Sequence, residues 1–318
     1  MRALTVFYFL LACTFSAAVL GQTIEPQPPG KLIDIGARKL HVQCEGTGLP
    51  AVVVENGGGS FSVEWALVRP LVAKHNQICT YDRAGYAWSD RGPVDEEVAR
   101  VTDDLNLLLR KLPVPTPFVL ACQSLGCFFA RAFQRRFPEQ VAGMVFVDGS
   151  SEESVTLVLN GERKPIDTFN REQLPTAYEE YRRGLPKLNS GSPADPPFDR
   201  LTRELQNLRH WAFDKLIREM GFLPDSLANA ESWREEFAAL RQQRLLQDHP
   251  LGALPVIVLE RGKDSEESWH AQQVQLATLS SQSQLRKAEG SGHMIHLERP
   301  DLVADAILQL TQQLKRRR

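Results

Sequence analysis

The chain has 318 residues, 42% hydrophobic and 24% charged, the balance of a globular protein long enough for about two folding units and a large core. Lys plus Arg number 37 and Asp plus Glu 39, so the net charge of −2 offers a polyanion nothing and argues against a nucleic-acid partner. Five Cys in this length exclude a disulfide-framework miniprotein.

Arg2 precedes an uncharged run over residues 3–20, and Val19-Leu20-Gly21 offers cleavage positions, so residues 1–21 read as a signal peptide and the protein as exported, secreted or periplasmic. The same run lies at the lower edge of bilayer-spanning length, which makes an uncleaved membrane anchor the alternative. Leu10-Leu11-Ala12-Cys13 loosely resembles a lipoprotein box, a second route to the membrane. Residues 22–30, with Pro26, Pro28 and Pro29, read as a linker. Without Cys13 the exported chain keeps Cys44, Cys79, Cys122 and Cys127, an even set for which an oxidising compartment permits disulfides.

From residue 31 strands and helices alternate. Residues 31–46 predict two strands around Gly36-Ala37, and the apolar run 51–55 a buried strand delivered into Asn56-Gly57-Gly58-Gly59. A helix over 65–74 and a strand over 77–81 follow. Val98, Val101, Leu105, Leu108 and Leu112 recur at helical spacing. Strands are expected at 118–121, 141–147, 256–259 and 285–288, and helices at 125–137 and from Pro300 onward, the last burying Val303, Ile307, Leu310 and Leu314. Such alternation predicts a mainly parallel sheet covered by helices on both faces. Residues 151–250 break the pattern: rich in Glu, Arg, Gln and Leu, with no convincing strand, they read as a helical cap. The cap divides the body into residues 31–150 and 251–318.

Chemistry concentrates at two glycine-flanked turns. Ser124 follows a buried strand, opens a helix and has Gly126 two residues on, the setting of an exposed nucleophile backed by a helix N-terminus. Cys122-Gln123-Ser124-Leu125-Gly126 fits G-x-S-x-G except at its first position, where Cys replaces the small residue a tight turn favours. The bland alternative is a helix-capping Ser. A serine hydroxyl needs a base, and of the seven His only His293 stands in a glycine-flanked loop, Gly290-Ser291-Gly292-His293. His296 is read as a support for that loop, and His41 and His75 as structural. The acid that would orient His293 is expected at Asp264, with Asp148 as the alternative and Glu260 a weaker third. No H-E-x-x-H, paired C-x-x-C or G-x-x-x-x-G-K-[ST] occurs, so neither a metal nor a nucleotide cofactor is indicated.

With the chain order Ser124, Asp264, His293, the sequence resembles the α/β-hydrolase superfamily over about residues 31–314, in the cap-bearing branch of esterases, prolyl-iminopeptidase-like enzymes and C–C bond hydrolases. Tyr81-Asp82-Arg83-Ala84-Gly85-Tyr86-Ala87-Trp88-Ser89 is similar to that family's D-R-x-G-x-G-x-S segment, with Ala87 replacing a Gly and Asp82 and Arg83 read as organising the loop beside the nucleophile. Asn56-Gly57 stands where the family usually has His-Gly. The resemblance implies an eight-stranded, mostly parallel sheet with the cap inserted after the sixth strand. It implies an oxyanion hole from the N–H groups of Gly58 and Leu125, no cofactor, and a small-molecule ester or related acyl substrate. An aminopeptidase, a C–C bond hydrolase and a non-catalytic binding protein of the same fold stay open. A Ser at the elbow, where dehalogenases and epoxide hydrolases carry Asp, argues against those chemistries. In the implied fold the second and fourth strands are neighbours, which makes Cys44–Cys79 a disulfide, whereas Cys122 and Cys127 are expected as free buried thiols. Trp211, Phe213, Met220, Phe222 and Leu223 of the cap either line a substrate pocket or pack the cap onto the body. Oligomeric state is not legible.

Overall fold

The computed structural model describes residues 25–93, 97–184, 191–219 and 226–316. The expected signal peptide, with Cys13, and the cap residues Met220, Phe222 and Leu223 lie outside the described residues. Eight strands form one sheet: β1 (Lys31–Asp34), β2 (Lys39–Glu45), β3 (Val52–Glu55), β4 (Ile78–Tyr81), β5 (Phe118–Gln123), β6 (Val141–Val147) and, after the hairpin β7 (Thr156–Leu159) and β8 (Glu162–Pro165), β9 (Val256–Arg261) and β10 (Ser283–Ala288). Their order is β1-β2-β4-β3-β5-β6-β9-β10. The β1–β2 and β2–β4 pairs are antiparallel and every later pair is parallel.

The helices are α1 (Arg69–Ala73), α2 (Val98–Lys111), α3 (Gly126–Arg136), α4 (Leu174–Gly184), α5 (Arg203–Glu219), α6 (Leu227–Leu246), α7 (Glu267–Ala277), α8 (Ile295–Glu298) and α9 (Pro300–Lys315). Strand parity sorts them onto two faces. Val53, Leu120, Cys122, Met144, Phe146, Val256 and Val258 point toward Leu105 and Leu108 of α2, Phe133 of α3 and Leu276 of α7. The intervening Val52, Val54, Val119, Ala121, Val145, Val147, Ile257 and Leu259 point toward Val72 of α1, Ile295 of α8 and Val303, Ile307 and Leu310 of α9. Each fully buried Val, Leu, Ile or Phe contributes roughly 1.5–3 kcal/mol, so two complete apolar layers dominate the stability of the body. Both faces of the parallel strands are covered, which is why these strands read as continuous apolar runs and not as alternations.

Three expectations need correction. The helix expected over 65–74 is a 3₁₀ turn (Ser62–Leu67) followed by the short α1, because Pro70, at the start of α1, has no N–H for a continuous α-helix. The segment between β6 and β9 is not wholly helical: β7 and β8 form a hairpin with Asn160 and Gly161 at φ +53° and +79°. Asn-Gly is the residue pair that a turn with two positive φ values selects, so the signal was present amid the surrounding charge. The third concerns cysteine. Cys44 and Cys79 are directly paired across β2 and β4, with Cα atoms 4.1 Å apart, and are disulfide-bonded. Cys122 and Cys127 are bonded too, not free: the turn from strand to helix brings their Cα atoms to 4.9 Å.

The insert sits on the body at two places. Leu157, Ile166, Phe169, Trp233 and Phe237 cover Phe128, Phe129 and Ala132 of α3, while Ala212 and Leu216 of α5 cover Phe61, Val63, Tyr86 and Trp88. Trp211 and Phe213 pack at the second patch, Trp211 5.1 Å from Trp88, so here they join insert to body. Among the described residues no helix is long and apolar enough to cross a membrane.

Candidate active site

Ser124 stands between β5 and α3 with φ +51°, a left-handed conformation that costs a residue with a Cβ about 1–2 kcal/mol. The surroundings hold it there. Its N–H donates to the carbonyl of Val147 at 3.2 Å, and its own carbonyl accepts from the N–H of Ser150 at 2.9 Å, both from the end of β6. Two residues on, Gly126 is required by close packing: a Cβ there would lie 2.4 Å from the carbonyl oxygens of Glu55 and Asn56. The N-terminus of α3 is therefore seated directly on the end of β3.

The glycine loop after β3 is anchored by Arg83. Its guanidinium donates to Glu55 Oε1 at 2.8 Å, to the carbonyl of Asn56 and to the carbonyl of Gly57 at 2.9 Å, and it stacks over the rings of Tyr86 and Phe129. Burial pushes the carboxyl of Glu55 up, against the opposing effect of Arg83 and the Tyr81 hydroxyl. With two carbonyls turned toward Arg83, the loop leaves backbone donors for the other side. Among the described residues the N–H groups of Gly58 and Leu125 have no hydrogen-bond partner. Asp82 organises the next layer, accepting from the N–H of Ser62 at 2.7 Å and from His41 Nδ1 at 2.7 Å. His41 Nε2 accepts from the N–H of Gly30, so His41 is fully committed to the fold.

His293, in the loop between β10 and α8, is held between two strand ends. Its Nδ1 lies 2.6 Å from Asp148 Oδ2. Its Nε2 lies 3.2 Å from the side-chain amide nitrogen of Gln123, the residue before Ser124. The amide nitrogen can only donate and the Asp148 carboxylate can only accept, which together favour Nε2 as the acceptor and Nδ1 as the protonated nitrogen. Asp148 is completely buried and held by a dense set of donors: the backbone N–H of Arg261 at 2.9 Å, Arg261 Nε at 2.6 Å and Trp269 Nε1 at 2.8 Å. Burial alone would raise its carboxyl, but the bonds from His293, Arg261 and Trp269 outweigh this and hold it below the usual carboxylate range. Arg261 Nη2 also lies 2.8 Å from His293 Nδ1, both nitrogens converging on Asp148 Oδ2.

The expected partnership of His293 with Asp264 is not what the fold provides. Asp148 follows β6 immediately, where its N–H donates to the carbonyl of Leu259 on the adjacent β9, and its φ of +48° keeps the carboxylate under the imidazole. The loop after β9 is tied to the His293 loop by the N–H groups of Gly262 and Lys263, both donating to the carbonyl of Ser291. Asp264, just beyond, is exposed, and nothing bonds it to His293 among the described residues. Glu260, the weaker third choice, is buried and paired with His270 at 2.7 Å. His296 is buried against Trp65 in a stacked contact and lies 3.8 Å from Glu64, so it supports the loop. Sequence reasoning passed over Gln123, Arg261 and Trp269. Gln123 was discoverable as the neighbour of the nucleophile candidate, whereas Arg261 and Trp269 carry no local signal: Arg261 is placed by the register of β6 with β9 and Trp269 by the packing of α7.

The comparisons with known proteins agree with this architecture. A model described as "Alpha/beta hydrolase family" matches residues 51–306. A probable transporter, efuK of Hormonema carpetanum, is 32% identical over 154 residues, 45% of this chain and 22% of that protein. The chain thus spans well under two thirds of the length of that curated relative. Among solved structures, Cfl2 of Burkholderia cenocepacia superposes with a TM-score of 0.64 at 20% identity, covering 88% of this chain and 95% of that one. A thermophilic esterase of Thermogutta terrifontis gives 0.58 at 22% identity, covering 87% and 94%. Family match, strand order and the strained serine between strand and helix coincide: the chain belongs to the alpha/beta hydrolase family.

Proposed function

We propose that the protein is a serine hydrolase that cleaves an ester or related acyl bond of a small molecule. The observation that carries this reading is His293, anchored through Nδ1 on the buried carboxylate of Asp148 and presenting an acceptor Nε2 beside the Ser124 turn. In the reaction the Ser124 hydroxyl takes the place of the Gln123 amide at Nε2. His293 accepts its proton as the serine oxygen bonds to the acyl carbon, and then delivers that proton to the leaving group. Asp148, not Asp264, keeps the imidazole in this tautomer and stabilises the imidazolium. The N–H groups of Gly58 and Leu125, which have no other partner among the described residues, hold the developing oxyanion. A water activated by His293 then releases the acyl group.

The packing of the insert over both the α3 surface and the loops around Phe61 and Tyr86 supports its reading as a cap that selects the substrate. Two disulfides within the described residues favour an exported protein, as does the apolar run of residues 3–20. The test is labelling by a fluorophosphonate probe. Wild type is expected to label and Ser124→Ala not to. Short-chain p-nitrophenyl esters are then expected to turn over faster than aminoacyl amides, and the reverse order would assign an aminopeptidase. Folded wild type that does not label at all would make this a binding protein, with Gln123 the lasting partner of His293.

A further inference from the structure

We infer that the Cys122–Cys127 disulfide is a positioning device for the nucleophile, doing covalently what a glycine does at the first position of other such turns. The inference rests on the serine-hydrolase reading. Its basis is placement. The bond closes a ring of backbone that runs from the end of β5 through Gln123, Ser124, Leu125 and Gly126 to the first turn of α3, so Ser124 sits inside the loop it closes. Each end of that loop is independently immobilised. Cys122 is flanked in the sheet by Glu55 of β3 and Phe146 of β6. Cys127 donates its N–H to the carbonyl of Ser124 at 3.0 Å, and its Sγ lies against Gly149, where a Cβ would come within 2.9 Å.

The turn has a specific difficulty to solve. Ser124 needs a positive φ, and its fifth-position partner Gly126 has no Cβ because the carbonyls of Glu55 and Asn56 leave no room. At the first position the chain has a sulfur instead of a hydrogen. Strand parity already turns that bulk onto the α2–α3 face of the sheet, where both sulfurs are buried; the bond to Cys127 fixes it to the first turn of α3. A short closed loop also removes most alternative conformations of the residues within it. The second disulfide has none of these properties. Cys44 is exposed and the Cys44–Cys79 bond joins β2 to β4, with β3 between them in the chain and β5 and the Ser124 turn outside the loop it closes, so it serves as an internal control.

The experiment uses the full chain. Alkylation with iodoacetamide in denaturant, without reductant, followed by peptide mass mapping is expected to find Cys122 and Cys127 unmodified; free thiols at both would overturn the proposal at once. Cys127→Ala is expected to lower kcat by about tenfold, with KM changed less than about threefold, because the turn and not the substrate pocket is loosened. Fluorophosphonate labelling of Ser124 should slow in parallel. The combination Cys122→Gly/Cys127→Ala restores the small first residue and is expected to recover most of the loss. A double variant no faster than Cys127→Ala would assign the effect to core packing and overturn the inference. Cys44→Ser/Cys79→Ser should leave both readouts near wild type. If Cys127→Ala fails to fold, the near-isosteric Cys127→Ser takes its place. Wild type that labels while Cys127→Ala labels equally fast overturns the positioning role alone. Wild type that does not label overturns the hydrolase reading and the inference with it.

Discussion

The centre of the sheet and the segment inserted between β6 and β9 are assembled on different physics. In β3, β5, β6 and β9 every second residue belongs to one apolar layer and the next to the other, and ionised groups appear only where the strands end. The insert meets the body through aromatic contacts interleaved with buried ion pairs. Arg131 of α3 donates to Glu152 at 2.7 Å with both side chains almost fully buried, and Arg244 of α6 approaches the same carboxylate. Arg209 of α5 reaches the buried Glu64 beside His296, and within the insert itself Arg241 of α6 binds both Glu153 and Asp167. Apolar layers are insensitive to pH and tolerant of local error. Buried ion pairs are neither, since a carboxylate that loses its partner inside the fold retains its desolvation cost. The candidate site lies where the two regimes meet, at the carboxyl ends of the strands, with Leu125 in the apolar cluster that the insert shares with α3.

Substitutions at the strand ends should produce the largest effects. Ser124→Ala is expected to cost at least about 10³-fold in kcat/KM for a p-nitrophenyl ester without changing the far-ultraviolet circular dichroism, because the oxyanion donors and the fold remain. Asp148→Asn should fall by about 10³–10⁴-fold, whereas Asp264→Asn stays within about twofold of wild type. Comparable losses in the two would break the assignment of the acid to the end of β6. Arg83→Lys keeps the charge beside Glu55 but cannot span the carbonyls of Asn56 and Gly57 with a planar fork. Its kcat is expected to drop by about 10–100-fold through the oxyanion loop, and an unchanged kcat would show that the loop holds its shape unaided.

The insert should respond in stability more than in chemistry. Arg131→Met leaves Glu152 buried beside only the more distant Arg244, and a loss of about 3 kcal/mol in urea unfolding is expected. Limited proteolysis should then cut first within the insert, and cleavage that began in the body would contradict the division drawn above. Acid is the gentlest probe. Burial tends to raise the carboxyl of Glu152, but Arg131 and Arg244 hold it below its ordinary 4.5, as the donors around Asp148 hold that group below 3.8. Carboxylates depressed in the folded state stabilise it fully above their unfolded values and lose that contribution as pH falls through the folded ones. The contribution of these two carboxylates should therefore be level above about pH 5 and decline below about pH 4, with Glu152→Gln flattening part of the decline.

Much of the site was legible along the chain because it is built from local geometry. Ser124 between a buried strand and a helix, His293 between glycines, and Gly57-Gly58 after a valine run each announce a turn that only certain residues can make. The sheet was legible for the same reason: uninterrupted apolar strands imply cover on both faces. The acid was not. Asp148 and Asp264 both follow an apolar strand, and no local pattern separates a carboxylate that will be buried under an imidazole from one that will face water. That choice was made by the register of β6 against β9, which places Arg261 beside Asp148, and by α7, which brings Trp269 to it, while the chain between them carries Asp264 to the surface. The Cys122–Cys127 bond was likewise invisible, since five residues of separation mean nothing until a strand, a turn and a helix fold them to within reach. What the amino-acid order determined were the turns, whose energetics belong to a few neighbouring residues. Which groups meet across them was decided in three dimensions, because burial, hydrogen-bond partners and charge pairing are properties of neighbours in space.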